Sequence, residues 1–200
     1  MKNLLCFILC LNTFVLIAQE NWTIESAKTF QDILNTEYGN PDESPLTEED
    51  LKVFKGLDFY PITAKYAVEA TFTRSESEQS FKMKTTGTRT PEYIKYGELH
   101  FMLDNKEYKL NVYQGLDLMK KPGFEDYLFL PFSDLTCGKE SYIGGRYIDM
   151  RIPKGKTVLI DFNKAYNPYC AYNHKYSCPI VPLENDLKVE ILAGVKKLHD

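Results

Sequence analysis

Alternation of apolar and polar residues starts at Ala64. From there Ala64, Tyr66, Val68, Ala70 and Phe72 share one side, while Lys65, Glu69, Thr71 and Thr73 fall on the other. Period two is the mark of a strand with one buried face. Phe81 and Met83 repeat it briefly. Leu99, Phe101 and Leu103 then run through Asp104-Asn105-Lys106 to Tyr108, Leu110 and Val112, two alternating runs around turn residues, which predicts a hairpin. Further short strands are expected at Tyr127–Phe132, Arg146–Arg151, Lys156–Asp161 and Leu187–Leu192. Ahead of them the period is helical. Ala27, Phe30, Ile33, Leu34 and Tyr38 make one face of a helix over about 23–38 that Gly39-Asn40-Pro41 stops. A second helix is expected over 47–54, with Thr47 as N-cap, Asp50 at the capping-box position and Gly56 beyond its end. Eight short strands without interleaved helices predict a mainly β chain. The expected form is a single antiparallel β-sandwich or barrel-like domain with one or two N-terminal α-helices.

The first residues belong to neither pattern. Lys2 precedes an apolar run from Leu4 to Ala18, broken only by Asn12 and Thr13 and followed by Gln19-Glu20. This is the grammar of a cleavable secretory signal, and the run is short for a bilayer span. The expected division is a signal peptide over 1–18, a helical segment over 19–55 packed on the domain, and a β-rich domain over 56–200. The product is expected to be exported, periplasmic or secreted, with no membrane span after cleavage. The formal net charge of −4 becomes −5 once Lys2 leaves. That mild acidity argues against nucleic acid as a partner. Cleavage also removes Cys6 and Cys10, leaving Cys137, Cys170 and Cys178 in a setting where a disulfide is permitted.

The segment from Asn163 to Asp186 has neither period. It carries Pro168, Pro179 and Pro182, the tyrosines Tyr166, Tyr169, Tyr172 and Tyr176, and two of those cysteines. A long irregular loop inside a small domain is usually functional or pinned. The stretch IDFNKAYNPYCAYNHKYSCPIVPLEN, Ile160 to Asn185, with YLFLPFSDLTCGKESYIGGRYIDMRIP and YIKYGELHF before it, resembles the family known as domain of unknown function 1684. The resemblance spans roughly 50–198. Val181 stands where the family often has proline, and His174 lies outside its motif. The resemblance implies a β-rich domain and directs attention to this segment; it implies no activity.

Four chemistries compete there. Cys170, His174 and Cys178, with Cys137, could be drawn as zinc ligands, but the second ligand pair of a zinc knuckle is missing, so no metal and no cofactor is expected. Cys170 with His100 or His174 and Asn167 or Asn173 could be drawn as a thiol nucleophile. Asp149, Asp161 and Glu184 could supply paired carboxylates for a hydrolase. The plainer reading is a Cys170–Cys178 disulfide, which would close a short loop and stabilise by ~2–3 kcal/mol. Six tyrosines, Tyr142 and Tyr147 among them, lie near Gly144-Gly145-Arg146, and Tyr is well suited to binding surfaces. The expectation is therefore a non-catalytic binding or accessory module of the cell envelope. Its partner would be a small molecule, a glycan or an envelope protein. The candidate cluster is Arg146, Asp161, Asn163, Asn167, Tyr172, Glu184 and Asn185, with catalytic use of carboxylates or a thiol as the alternative.

Overall fold

A computed structural model describes residues 22–76 and 79–198; the expected signal sequence lies outside them. Helix α1 is Ile24–Gly39, entered through Thr23, whose hydroxyl accepts the amide of Ser26. Helix α2 is Glu48–Val53. Its cap Thr47 accepts the amide of Asp50 at 3.1 Å and donates to the Asp50 carboxylate at 2.8 Å. The strands are β1 (Ala67–Arg74), β2 (Phe81–Lys82), β3 (Glu92–Leu103), β4 (Lys106–Gly115), β5 (Tyr127–Phe132), β6 (Arg146–Arg151) and β7 (Thr157–Asp161). All pair antiparallel in one sheet of order β6-β5-β4-β3-β1-β7, with β2 also on β3. No helix among the described residues is long and apolar enough to cross a membrane.

The mainly β, antiparallel class expected from the sequence is present, and of the two forms expected the sheet takes the barrel-like one only as far as a curled half-barrel, without forming a sandwich. A single sheet curls until Tyr147 of β6, at one edge, bridges to Tyr166, just past β7 at the other. The two residues exchange backbone hydrogen bonds of 2.8 and 3.0 Å. Leu99, Phe101, Leu110, Val112, Leu128, Leu130 and Ile160 fill the concave face. Among the described residues no second sheet covers them. Phe162, on a single 3-10 turn, and Ala165, Leu187, Ile191 and Ala193, on irregular chain, do so instead. Leu187–Leu192, expected as a strand, is irregular, bends at Lys188–Val189 and joins no ladder. Its donors and acceptors are divided among separate partners: Leu187 N donates to Ser133 O, Val189 O accepts from Leu135 N, and Ile191 N donates to the Asp134 carboxylate. The run expected to start β1 at Ala64 opens as a 3-10 turn over Ala64–Tyr66, so β1 begins at Ala67. The β3–β4 hairpin forms where expected, with Asp104 and Asn105 at φ 49° and 60°, the left-handed conformation that a tight hairpin turn requires and that Asp and Asn tolerate.

Candidate functional site

The sequence cluster divides into locks and one exposed residue. Asn185 shows how a lock works. The register of β4 on β5 sets Tyr113 opposite Phe129, so two residues on Asn111 faces Pro131, which has no N–H to offer. The Asn185 side chain enters this gap. Its amide nitrogen donates to Asn111 O at 2.8 Å and to Pro131 O at 2.6 Å, and its oxygen accepts Asn111 N at 2.8 Å. A side-chain amide thus completes the ladder that proline interrupts. Asn163 does similar work just past the edge strand β7. It pairs with both backbone groups of Thr63 at 3.0 Å and donates to Asp161 at 2.8 Å. Asp161 also accepts the indole of Trp22 at 3.1 Å. Asn167 donates to the Tyr172 hydroxyl at 3.2 Å and to Lys196 O at 2.8 Å, and the Tyr172 ring packs edge-on against Tyr38 of α1.

Arg146 is the most deeply set. It follows Gly145, whose φ of +84° and position, with a Cβ only 2.5 Å from Phe132 O, admit no side chain. The turn sends the guanidinium inward, where neither it nor its partner Asp134 has any exposed surface. It donates to Asp134 at 2.7 Å, to Ile191 O at 2.8 Å and to Ala193 O. Its ion pair is therefore with Asp134 and not with Asp161 or Glu184. Glu184 is exposed. Six of the seven residues hold irregular chain in place, and the seven are not gathered around one opening.

Cys170 and Cys178 are free thiols, not the disulfide the sequence favoured. The Cys178 sulfur accepts the Cys170 amide at 3.2 Å, while the Cys178 amide donates to Thr86 Oγ1 at 3.1 Å. The loop is pinned by these bonds and by Thr86 N to Cys178 O and Ile180 N to Lys84 O. The hydrogen bond from Cys178 draws the Cys170 thiol down to about 6, and the same bond, with burial, pushes Cys178 well above the ordinary thiol range. His174 is exposed. Among the described residues no three His, Cys, Asp or Glu side chains gather as metal ligands would.

An opening does exist, on the sheet's other face. Period two that sends Leu128, Leu130 and Ile148 into the core sends Tyr127, Phe129, Tyr147 and Asp149 the opposite way. Helix α1 roofs them with Phe30, Ile33, Leu34 and Glu37, and the loop closes the end with Tyr166, Tyr169 and Tyr176. The cleft is open to solvent and has a volume of about 480 Å³, within the range of small-molecule sites. Its polar centre is Asp149. One carboxylate oxygen, Oδ1, accepts the hydroxyls of Tyr127 at 2.7 Å and Tyr166 at 2.6 Å. Burial first, then this carboxylate, pushes both phenols well above their ordinary range, so they stay neutral donors. The Tyr147 hydroxyl is taken by Pro179 O. Arg89 enters from the loop after β2, its guanidinium bonded to Ser177 O at 2.8 Å.

Asp149, Tyr147 and the loop tyrosines were candidates from sequence, but Tyr127, Phe129, Tyr93, Glu37 and Arg89 were not. The signal that could have found the strand residues is in Tyr127-x-Phe129 and Tyr147-x-Asp149, where the face opposite the core positions is aromatic.

The family model described as "Protein of unknown function (DUF1684)" matches residues 52–196. A solution NMR structure of an uncharacterized protein from gene locus rrnAC0354 of Haloarcula marismortui is 32% identical, with a TM-score of 0.68, covering 86% of this chain and 92% of that one. A comparison with curated proteins gives no match.

Proposed function

The chain belongs to the family described as "Protein of unknown function (DUF1684)", and on that footing we propose that it is an exported, non-catalytic binding module whose aromatic cleft holds a small organic molecule. The observation that carries the reading is the cleft itself. Rings from β5, β6, α1 and the loop line about 480 Å³ of space around one carboxylate fixed by two phenols. A concave, mainly apolar site with few placed polar groups is what a small ligand needs. Of the three carboxylates considered for hydrolysis only Asp149 lies in the cleft, with Oδ1 held by two phenols; Asp161 is occupied by Asn163 and Trp22, and Glu184 is exposed elsewhere, so the expected carboxylate pair does not assemble there. The deep amide and guanidinium locks give a rigid frame, which lowers the ordering cost of binding. Export rests on the leader-like residues 1–18.

The test uses the chain expressed with its own N-terminus. Recovery outside the cytoplasm of a product starting near Gln19 supports export, and an uncleaved chain retained in the cytosol sinks that part. Indole serves as a neutral aromatic probe followed by NMR. Saturable shifts centred on Tyr93, Phe129, Tyr147 and Ile33 are expected. Shifts scattered over the surface, or none, overturn the binding reading.

A further inference from the structure

The cleft contains more negative than positive charge, and its acids lack counter-ions. Among the described residues, Asp149 Oδ2 takes no hydrogen bond, and neither Asp149 nor Glu37 has an ion-pair partner. Both carboxylates belong to residues with exposed surface that line the same space, one from the sheet and one from the roof. Between them stands Tyr169. Its phenol is pushed up first by burial, then by the carboxylate of Glu37, with a further contribution from Asp149. Against these two acids stands one base, Arg89, whose guanidinium is tied back to Ser177 O.

The tyrosines narrow the chemistry further. Tyr127 and Tyr166 give their hydroxyls to Asp149, and Tyr147 gives its hydroxyl to Pro179 O. Tyr127 and Tyr166 are half-buried and keep ring surface toward the cleft, Tyr147 is buried behind them, and none of the three has a donor to spare. A sugar, which needs many hydrogen bonds, is poorly matched to them. A cation that needs none is well matched, because aromatic faces attract positive charge through their quadrupoles and an uncompensated carboxylate adds a Coulomb term in a partly desolvated site.

We infer that the cleft takes a small organic cation of the methylated-ammonium class, seated against the rings of Tyr127 and Tyr166 with Asp149 as its counter-ion and Glu37 at the rim. The assignment rests on the reading of the cleft as a ligand site and deepens it. Burying the cation would fill the gap in the charge balance that the apoprotein leaves open. The methyl groups would occupy the ring-lined space that three committed hydroxyls cannot use for polar contacts.

The experiment titrates the mature protein, followed by NMR, with three probes: choline, the uncharged tert-butyl analogue of choline, and indole. Choline is expected to saturate and to shift the Ile33, Leu34 and Tyr147 resonances. Its analogue, of the same shape without charge, is expected to bind about tenfold or more weakly. Asp149→Asn is expected to bring choline down to the level of the analogue while leaving the analogue unchanged. Should Asp149→Asn fail to fold, Glu37→Gln, on an exposed helix position, is expected to weaken choline and not the analogue. Equal binding of choline and its analogue overturns the cation inference and leaves the cleft reading standing. Binding of indole without choline does the same. Failure of all three probes to shift cleft resonances overturns both.

Discussion

Replacing Arg146 by methionine tests the reasoning about the buried locks. Arg146 and Asp134 have no exposed side-chain surface, and the guanidinium also serves Ile191 O and Ala193 O. Methionine fills much of the same space but supplies no donor and no charge. Asp134 would keep the amides of Thr136 and Ile191 at 3.0 and 2.9 Å, yet its charge would be left in the core without a counter-ion. Breaking a buried pair from one side costs about 3–5 kcal/mol. Two orphaned carbonyls add ~1 kcal/mol or more each. Relief of the Arg146 Nε–H, which is buried without an acceptor, offsets part of this. The expected loss is about 4 kcal/mol, a large share of the 5–15 kcal/mol typical of a domain. Urea unfolding followed by circular dichroism, at a temperature where both proteins start folded, measures it. Adding Asp134→Asn to Arg146→Met removes the stranded charge but keeps an acceptor for Thr136, and should restore about 1–2 kcal/mol. A loss below about 1 kcal/mol for the single variant, or no recovery in the double, would refute the account of the pair as mutually dependent buried charges.

Two further outcomes follow from the loop. Asn185→Ala should cost about 2–3 kcal/mol by leaving Asn111 and Pro131 without their amide, and Asn185→Asp should be no better, since a carboxylate cannot donate to two carbonyls; a thermal midpoint for Asn185→Asp equal to the native one would contradict this. Cys170 should alkylate with iodoacetamide at a rate that rises through about pH 6, below the about 8.5 of a free thiol, and Cys178→Ala should move that midpoint up. Because the folded value lies below the unfolded one, the Cys170 thiolate stabilises the fold above the free-thiol range, and that contribution fades as pH falls through about 6. A Cys170 midpoint that stays in the free-thiol range would rule out the hydrogen bond from Cys178 as its cause.

Local chemistry made much of the fold legible. The hairpin at 104–105, the cap at Thr47, and the strands at Tyr127–Phe132 and Arg146–Arg151 stand where alternation and turn chemistry put them. Leu187–Leu192 misled because its apolar spacing reflects burial against the sheet, while its backbone is satisfied by Ser133, Leu135 and a side chain of Asp134. Period reports which residues face a core; it does not report which donor meets which acceptor. The same limit applies to the site. Asn163, Asn167 and Asn185 stood out by composition, and their partners Thr63, Lys196 and Asn111 lie far away in sequence. The cleft was half visible, through its loop tyrosines. Its roof could not be read, because Glu37 and Ile33 reach the cleft only through the placement of α1 over β5 and β6.

The amide of Asn185 has a consequence for how the chain reaches its final form. Strands β4 and β5 are complete by residue 132, but the rung between Asn111 and Pro131 waits for a residue made some fifty positions later. Arg146 likewise waits for the carbonyls of Ile191 and Ala193. A growing chain therefore carries an unfinished seam through the middle of its sheet until Asn185 has emerged. A chain cut before that residue would be damaged at the centre of the molecule and not at its end, and folding in the order of synthesis would set the keystone after the strands it joins.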